Sequence, residues 1–554
     1  MTACVVISHA PERDFTRDAV SLPASYPGPA YFARADVQAI RALVQENLSR
    51  LDEETHFCEQ ISGRKVLLKP NLVTVFHDLG MRERDYPETT DPRLLDAVVE
   101  FLQAYTPHIC IVESSGRGMP TRLSFHIAGL DRLARFRKVQ LIALEEEPVD
   151  RYLLPQARVM REMVIPRIFS EVVRGEAFYI SIPKMKTNLY AGVTLGFKNA
   201  MGVISYNLRQ RNHNFEIDQK LVDMLHLFKA DLTIIDGIVG GEGNCPAPVD
   251  PVQSRLLISG IQSLETDRVA TRMMGFDPAS IPIMRIADEN GFNDPQVKII
   301  GEQTVKPYRA ADPSLLGGWM KENFPQLKVL IGHSMRAAPV ASGMQALDPA
   351  QCCAMEDVCR GGCLASTRYA FDMLYHEGLS EERRRNLGLT VILGAGANSN
   401  NGPLFYDRDG KAYTMAEIAG LPGKKLAIGT CSRALWDLVD RSIPGCMPYP
   451  NSPHTVIHQL SGTSCSIMSL RNRYLLAGLV ETLRLCERRK ALLRKGQRID
   501  VPFSHENKHF EPRTFSPREL QQPYIYEPFA PLTKGEICAL CKAENKAILS
   551  TFTG

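Results

Sequence analysis

The 554-residue chain lacks several features that would narrow its class. No uninterrupted apolar run reaches the ~18 residues that a membrane-spanning helix needs. The opening MTACVVISHAPERD places acids and a proline where a signal peptide has its apolar core. A cytoplasmic protein with no membrane partner is expected. A surplus of one charge is also missing. With 65 Lys and Arg against 62 Asp and Glu the net charge is +3, too little for a protein built to neutralise a nucleic-acid backbone. The GxGxxG fingerprint and the lysine spacing of a P-loop are absent. So are the two close CxxC pairs of a zinc knuckle, since only Cys538 and Cys541 have that spacing.

What is present is an ordinary globular composition, 44% apolar and 23% charged, at a length that implies two to three domains. Its chemistry gathers between Phe178 and His213. FYISI is β-branched and aromatic, hence a buried strand, and Pro183 stops it. Lys184, Lys186, Thr187 and Asn188 follow at once, then Thr194, Lys198 and Asn199, with Gly192, Gly196 and Gly202 between or beside them and Arg209, Arg211 and His213 behind. Cations, amides and small residues at the carboxyl end of a parallel strand suit an anion. A solvated basic loop is the plainer alternative, but it would not need Leu195, Phe197, Met201, Val203 and Ile204.

Other strand ends bring similar groups. Lys65 to Lys69 reads as a buried strand leaving Lys69 and Asn71 at its end. The loop Phe76 to Thr90 is long enough for a lid. Strand His108 to Glu113 leads to the turn Ser114-Ser115-Gly116-Arg117-Gly118, which is like a phosphate cradle, and Glu113 could act as acid or base or pair with Lys69. Glu145 to Glu147 reads as a solvated charge run. Asp236 closes the strand LTIIDG, and the glycines after it would form a loop bringing Glu242 to the crevice. Asp236 and Glu242 could bind a divalent ion, carry protons or pair with the lysines. Asp267 would cap a helix that it opens. Strands alternating with helices predict an α/β fold: a mostly parallel open sheet with helices on both faces, a second smaller α/β domain and an irregular C-terminal tail. The boundaries expected are 1–302, a linker at 303–326, 327–497 and 498–554.

PKMKTN, VTLGFKN and MG, with the basic stretch ending in histidine, resemble the domain of unknown function 362 family, as do VLLKPNLV, TTDPRLLDAVV, IVESSGRG and LTIIDGIVGGEG. The resemblance covers roughly the first 300 residues and implies a fold more than an activity.

Ten of the fourteen cysteines lie beyond Ala350. In a reducing compartment they read as metal, redox or buried thiols rather than disulfides. Cys359 and Cys363 flank Arg360-Gly361-Gly362, while Cys431 and Cys446 stand in GTCSRAL and PGCMPYP. Glycine or proline beside each thiol lets backbone approach an inorganic core, so these four are the expected ligands of a four-iron four-sulfur cluster, with Cys352 or Cys353 as a substitute for one of the pair. Zinc and unligated buried thiols are the alternatives. The last two motifs and the tandem Cys352-Cys353 are similar to the cluster-bearing small subunits of complex I and nickel–iron hydrogenases, with Met447 standing where those have proline. Cys538 and Cys541 read as a redox pair or a chance spacing.

These readings combine into an iron–sulfur-dependent, oxidoreductase-like or biosynthetic enzyme whose crevice takes a small carboxylate or phosphate. Lys186, Lys198, His213, Glu113 and Asp236 are the expected catalytic groups. Lys69, Asn71, Lys184, Thr187, Asn188, Thr194 and Asn199 are the expected substrate-binding ones. An electron-transfer partner and homo-oligomerisation fit this reading. The competing ones are a non-catalytic carrier or assembly factor and a non-redox isomerase or lyase.

Overall fold

In the computed structural model the residues described are 3–73, 87–116, 120–205, 207–209, 216–246, 248–294, 296–333, 360–377, 379–397, 402–445, 451–463, 474–500 and 513–553. His213, Cys352, Cys353, Cys359 and Cys446 lie outside them, as does most of the expected lid. Two compact units form. One comprises Met1–Arg209, Asp218–Ala311 and Arg473–Gly554, and the other Gln210–Ile217 and Asp312–Asn472.

The first unit is built on a sheet ordered Val297–Ile300, Ala3–His9, Leu256–Gly260, Leu232–Glu242, Ala177–Ile182, Lys65–Pro70, Ile109–Glu113 and Gln140–Ala143. The five strands from Leu232–Glu242 to Gln140–Ala143 run parallel, while Leu256–Gly260 is antiparallel to both its neighbours. Val66, Leu67, Leu68, Ile111 and Ile180 are buried completely, as expected of strands covered on both faces. Helix Pro92–Leu102 starts where Asp91 accepts a hydrogen bond from Arg93 N (2.9 Å) and proline takes the first turn.

Three expectations need correction here. Glu145 is not solvated: it is buried and accepts from Thr121 N (2.7 Å), an orphan amide of helix Thr121–Ala128. Gly237, Gly240 and Gly241 do not form a loop, because strand Leu232–Glu242 runs through them and only Gly243 lies beyond it. They serve close packing: a Cβ on Gly240 would lie 1.7 Å from the Tyr308 hydroxyl and one on Gly237 2.7 Å from Met185 Sδ. Glu242 accordingly meets Arg309, whose N donates to it at 2.7 Å. Asp267 sits inside helix Ser263–Met273 rather than opening it, and caps a different helix, as described below.

Residues 473–497, expected in the second domain, group with the first unit. The physical reason is Arg489, a buried guanidinium that bonds Glu145 O (2.7 Å) and both carboxylate oxygens of Glu544 (3.0 Å each). The C-terminal segment adds strand Ile525–Tyr526 to Val149–Leu153, and helix Lys534–Thr553 packs on Leu475–Arg494. Among the described residues no helix is long and apolar enough to cross a membrane.

The second unit is a six-stranded sheet in which the four neighbouring strands Lys328–Ile331, Leu389–Leu393, Lys424–Ile428 and Arg441–Ile443, the last at the edge, run parallel. Helix Ala365–His376 follows the turn Arg360–Leu364 and buries Ala370, Phe371 and Leu374 against Val329, Val391 and Leu426.

Candidate functional site

Two sheet rims carry the predicted residues. In the first unit, strands Lys65–Pro70, Ile109–Glu113 and Ala177–Ile182 end at a common rim, and the chain runs on from the last as strand Lys184–Asn188, which pairs parallel with Leu232–Glu242 and brings Lys184 and Lys186 there. Each lysine reaches that rim already engaged. Lys69 Nζ donates to both oxygens of Glu113 (2.9 and 2.8 Å) and to Asn199 Oδ1 (3.1 Å). Lys184 Nζ lies 2.6 Å from Asp236 Oδ2 and donates to Val239 O (3.1 Å). Lys186 Nζ donates to Asn71 Oδ1 (2.9 Å) and to the Glu88 carbonyl, with the Glu88 carboxylate 3.8 Å away.

All three lysines and their acids are at most 2% exposed. Burial pulls the ammonium groups of Lys69 and Lys186 below their usual range and pushes the carboxyls of Glu113 and Asp236 above theirs. Opposite charges restrain each shift, Glu113 for Lys69 and Lys184 for Asp236. Glu113 and Asp236 thus take the pairing role weighed for them in the sequence.

Amides and hydroxyls knit the rim. Asn199 Nδ2 donates to Lys69 O (2.9 Å) and Ser181 Oγ (3.1 Å), and Asn71 Nδ2 to Asn199 Oδ1 (3.4 Å). Thr187 Oγ1 donates to Gly243 O (2.7 Å), and Asn188 Oδ1 accepts from the amides of Tyr190 and Ala191 (3.1 and 3.0 Å). Gly202 closes over the ion pair, where a Cβ would lie 2.6 Å from Lys69 Cε and 2.7 Å from Glu113 Oε1. Lys198 is half-buried on the short helix Gly196–Asn199, whose first amides, Gly196 and Phe197, donate to Asp267 (2.9 and 2.7 Å). Thr194 pairs in register with Lys186, and its buried hydroxyl has no hydrogen-bond partner among the described residues.

Of the expected phosphate cradle, Arg117 and Gly118 lie outside the described residues, and Ser114 to Gly116 offer it no amide. Their amides are used internally: Ser114 N by Glu113 (2.9 Å), Ser115 N by Thr121 (2.8 Å) and Gly116 N by Leu72 O (3.0 Å). Glu88 and Asp91 were missed by the sequence reading. The TTDP stretch ahead of an apolar helix was the signal for Asp91, whereas Glu88 had none.

At the second rim, Cys431 follows strand Lys424–Ile428, and Cys363 stands in the turn before helix Ala365–His376. Gly429, with φ of 88°, packs against the other thiol: a Cβ there would lie 2.6 Å from Cys363 Sγ. The chain beside Cys431 is tied to the chain beside Cys446. Thr430 N donates to Gly445 O, Gly445 N donates to Thr430 Oγ1 (3.0 Å each), and Gly429 N donates to Ile443 O (2.8 Å). Cys363 is buried and Cys431 partly exposed. Next along this rim is His333, at the end of strand Lys328–Ile331, buried with neither ring nitrogen hydrogen-bonded among the described residues. Burial lowers its basicity. Cys538 and Cys541 lie on helix Lys534–Thr553, in the other unit.

The chain is 31% identical over 120 residues to a thylakoid-associated protein of Synechocystis sp., an alignment that takes in 21% of this chain. It spans about a third of that relative's length (37%). A crystal structure of a Thermotoga maritima protein aligns at 10% identity over 75% of this chain and 92% of its own, with a TM-score of 0.29. Residues 66–272, which contain the whole lysine-bearing rim from Lys69 to Asp267, match the family model described as domain of unknown function 362.

Proposed function

We propose that the chain is an iron–sulfur-dependent redox or biosynthetic enzyme. In this reading Cys363 and Cys431, with Cys359 and Cys446, hold a four-iron four-sulfur cluster, and the first unit receives a small carboxylate or phosphate. One observation carries the reading: the Cys363 thiol, the backbone next to Cys431 and the backbone next to Cys446 converge on Gly429. Cysteines buried for packing alone have no need of a left-handed glycine whose missing side chain makes room for a sulfur. The donor set fits the group: thiolates from separate strand ends, with backbone close enough to turn amides toward sulfur. When bound, such a cluster supplies one-electron transfer.

The chain's own contribution on this side is to hold Cys431 by the Thr430–Gly445 bonds and Cys363 by the start of its helix. In the first unit the compensated lysines act as a buried proton store rather than as bare positive charge. Burial has already weakened Lys69 and Glu113 as an ion pair, and it pushes the Asp236 carboxyl up. The anion would be received by Lys198 and the Thr194 hydroxyl, with Asn71 and Asn199 fixing its orientation. The partial exposure of Cys431 favours one rival, a non-catalytic carrier that hands its metal on, and zinc is the rival ion.

Purifying the full chain without oxygen tests the proposal. Broad visible absorption bleached by dithionite, with iron and sulfide near four per chain, is expected, and both should be lost in Cys363→Ser and in Cys431→Ser. A colourless protein carrying stoichiometric zinc at those thiols would overturn it. A cluster that passes to an apo-acceptor within minutes would favour the carrier.

A further inference from the structure

We propose that Glu377, His454 and His458 form a second metal site, for a divalent ion of the zinc class, separate from the cysteines. Helix Asn451–Leu460 carries His454 and His458 four residues apart, hence on one face. Their ring centroids are 4.6 Å apart at 79°. Glu377 ends helix Ala365–His376 and reaches both: His454 Nε2 is 3.1 Å from one carboxylate oxygen and His458 Nε2 3.0 Å from the other. The three candidate ligand atoms lie within 4.8 Å of one another, on side chains that are 0%, 1% and 6% exposed.

A simple salt bridge is the competing account, and the geometry disfavours it. His458 Nε2, although close to the carboxylate, makes no hydrogen bond, so it is not aligned as a donor. Thr463 Oγ1, 2.9 Å from His458 Nδ1, fixes that ring from behind, as a supporting group does at a metal centre. Two imidazoles and one carboxylate complete three positions of a tetrahedron and leave the fourth for water or a substrate oxygen. The ion would also tie together two helices of the cysteine-bearing unit. One begins just after Cys363, and the other follows Cys446 by five residues.

The test uses the full chain carrying Cys363→Ser and Cys431→Ser, so that the thiol site and its failure are kept apart from this one. After chelator treatment, titration with Zn²⁺ should show one tight equivalent and a raised Tm. Co²⁺ in its place should give visible bands without thiolate charge transfer. Glu377→Gln, nearly isosteric, should lose the equivalent, and Thr463→Val should weaken it by about 10–100-fold. Unchanged Zn²⁺ binding in Glu377→Gln and His458→Gln, both folded by circular dichroism, would overturn the site, as would no binding in the parent.

Discussion

The two rims use the same architectural device, the carboxyl ends of parallel strands, to opposite ends. In the first unit every described lysine of the buried row meets a carboxylate or an amide oxygen, and Gly202 shuts the Lys69–Glu113 pair away from solvent. In the second, His333 reaches the rim with neither nitrogen bonded among the described residues, and Gly429 clears space beside a thiol. The buried lysines of one rim are paired from within, with the Thr194 hydroxyl as the exception, whereas the other rim holds an imidazole that no described residue bonds. Clustered residues of a reactive type therefore do not identify a binding site by themselves. What separates the two is the state of their hydrogen bonds.

The largest effect that could break this comparison is at Lys69. If that rim is internally compensated, Glu113→Ala strands a buried ammonium and should cost about 3–5 kcal/mol of stability by denaturant unfolding. Replacing both partners, Lys69→Met with Glu113→Leu, should recover most of that loss, because two apolar groups leave no orphan charge. Equal losses in the single and double variants would show that packing, not charge, holds the rim. Next comes Gly429→Ala. A Cβ there meets Cys363 Sγ at 2.6 Å and must accept a φ of 88°. A cost of about 1–3 kcal/mol is expected, together with lower iron content per chain than in the parent. Normal iron content would separate the glycine from the metal.

Much of the fold was legible because the strands are short apolar runs set between helical periodicity and turn residues. Lys65 to Lys69 and the strand FYISI were recognisable without partners. The strand through Gly237, Gly240 and Gly241 was not. Glycine in a row signals a turn, and only tertiary contact with Met185 and Tyr308 shows that these positions are small for packing. The identity of the rim residues was legible, but not their state. Whether Lys69 is bare or paired depends on Glu113, 44 residues away, and on burial that no local spacing encodes. The paired histidines of HTVIH had a readable spacing, but Glu377 arrives from a different helix, so the set exists only in the folded chain.

The smallest expected effect concerns Asp267 and sharpens the contrast by its pH dependence. Its carboxyl accepts from Gly196 N and Phe197 N, yet burial outweighs those two bonds and pushes it up to about 7. The folded chain therefore holds this proton over a range in which the unfolded chain, titrating near 4, has released it. The folded state binds more protons there, so this group's contribution to stability is fully present below pH ~4 and declines as pH rises toward ~7, with a slope of up to about 1.4 kcal/mol per pH unit. Asp267→Asn keeps the shape and an acceptor oxygen for the Gly196–Asn199 turn but cannot titrate. It should flatten the stability profile across that window while leaving the value at pH 4 nearly unchanged. A profile as steep as the parent's would mean that other buried acids of the same unit, such as Asp500, which burial raises to about 6, set the slope instead.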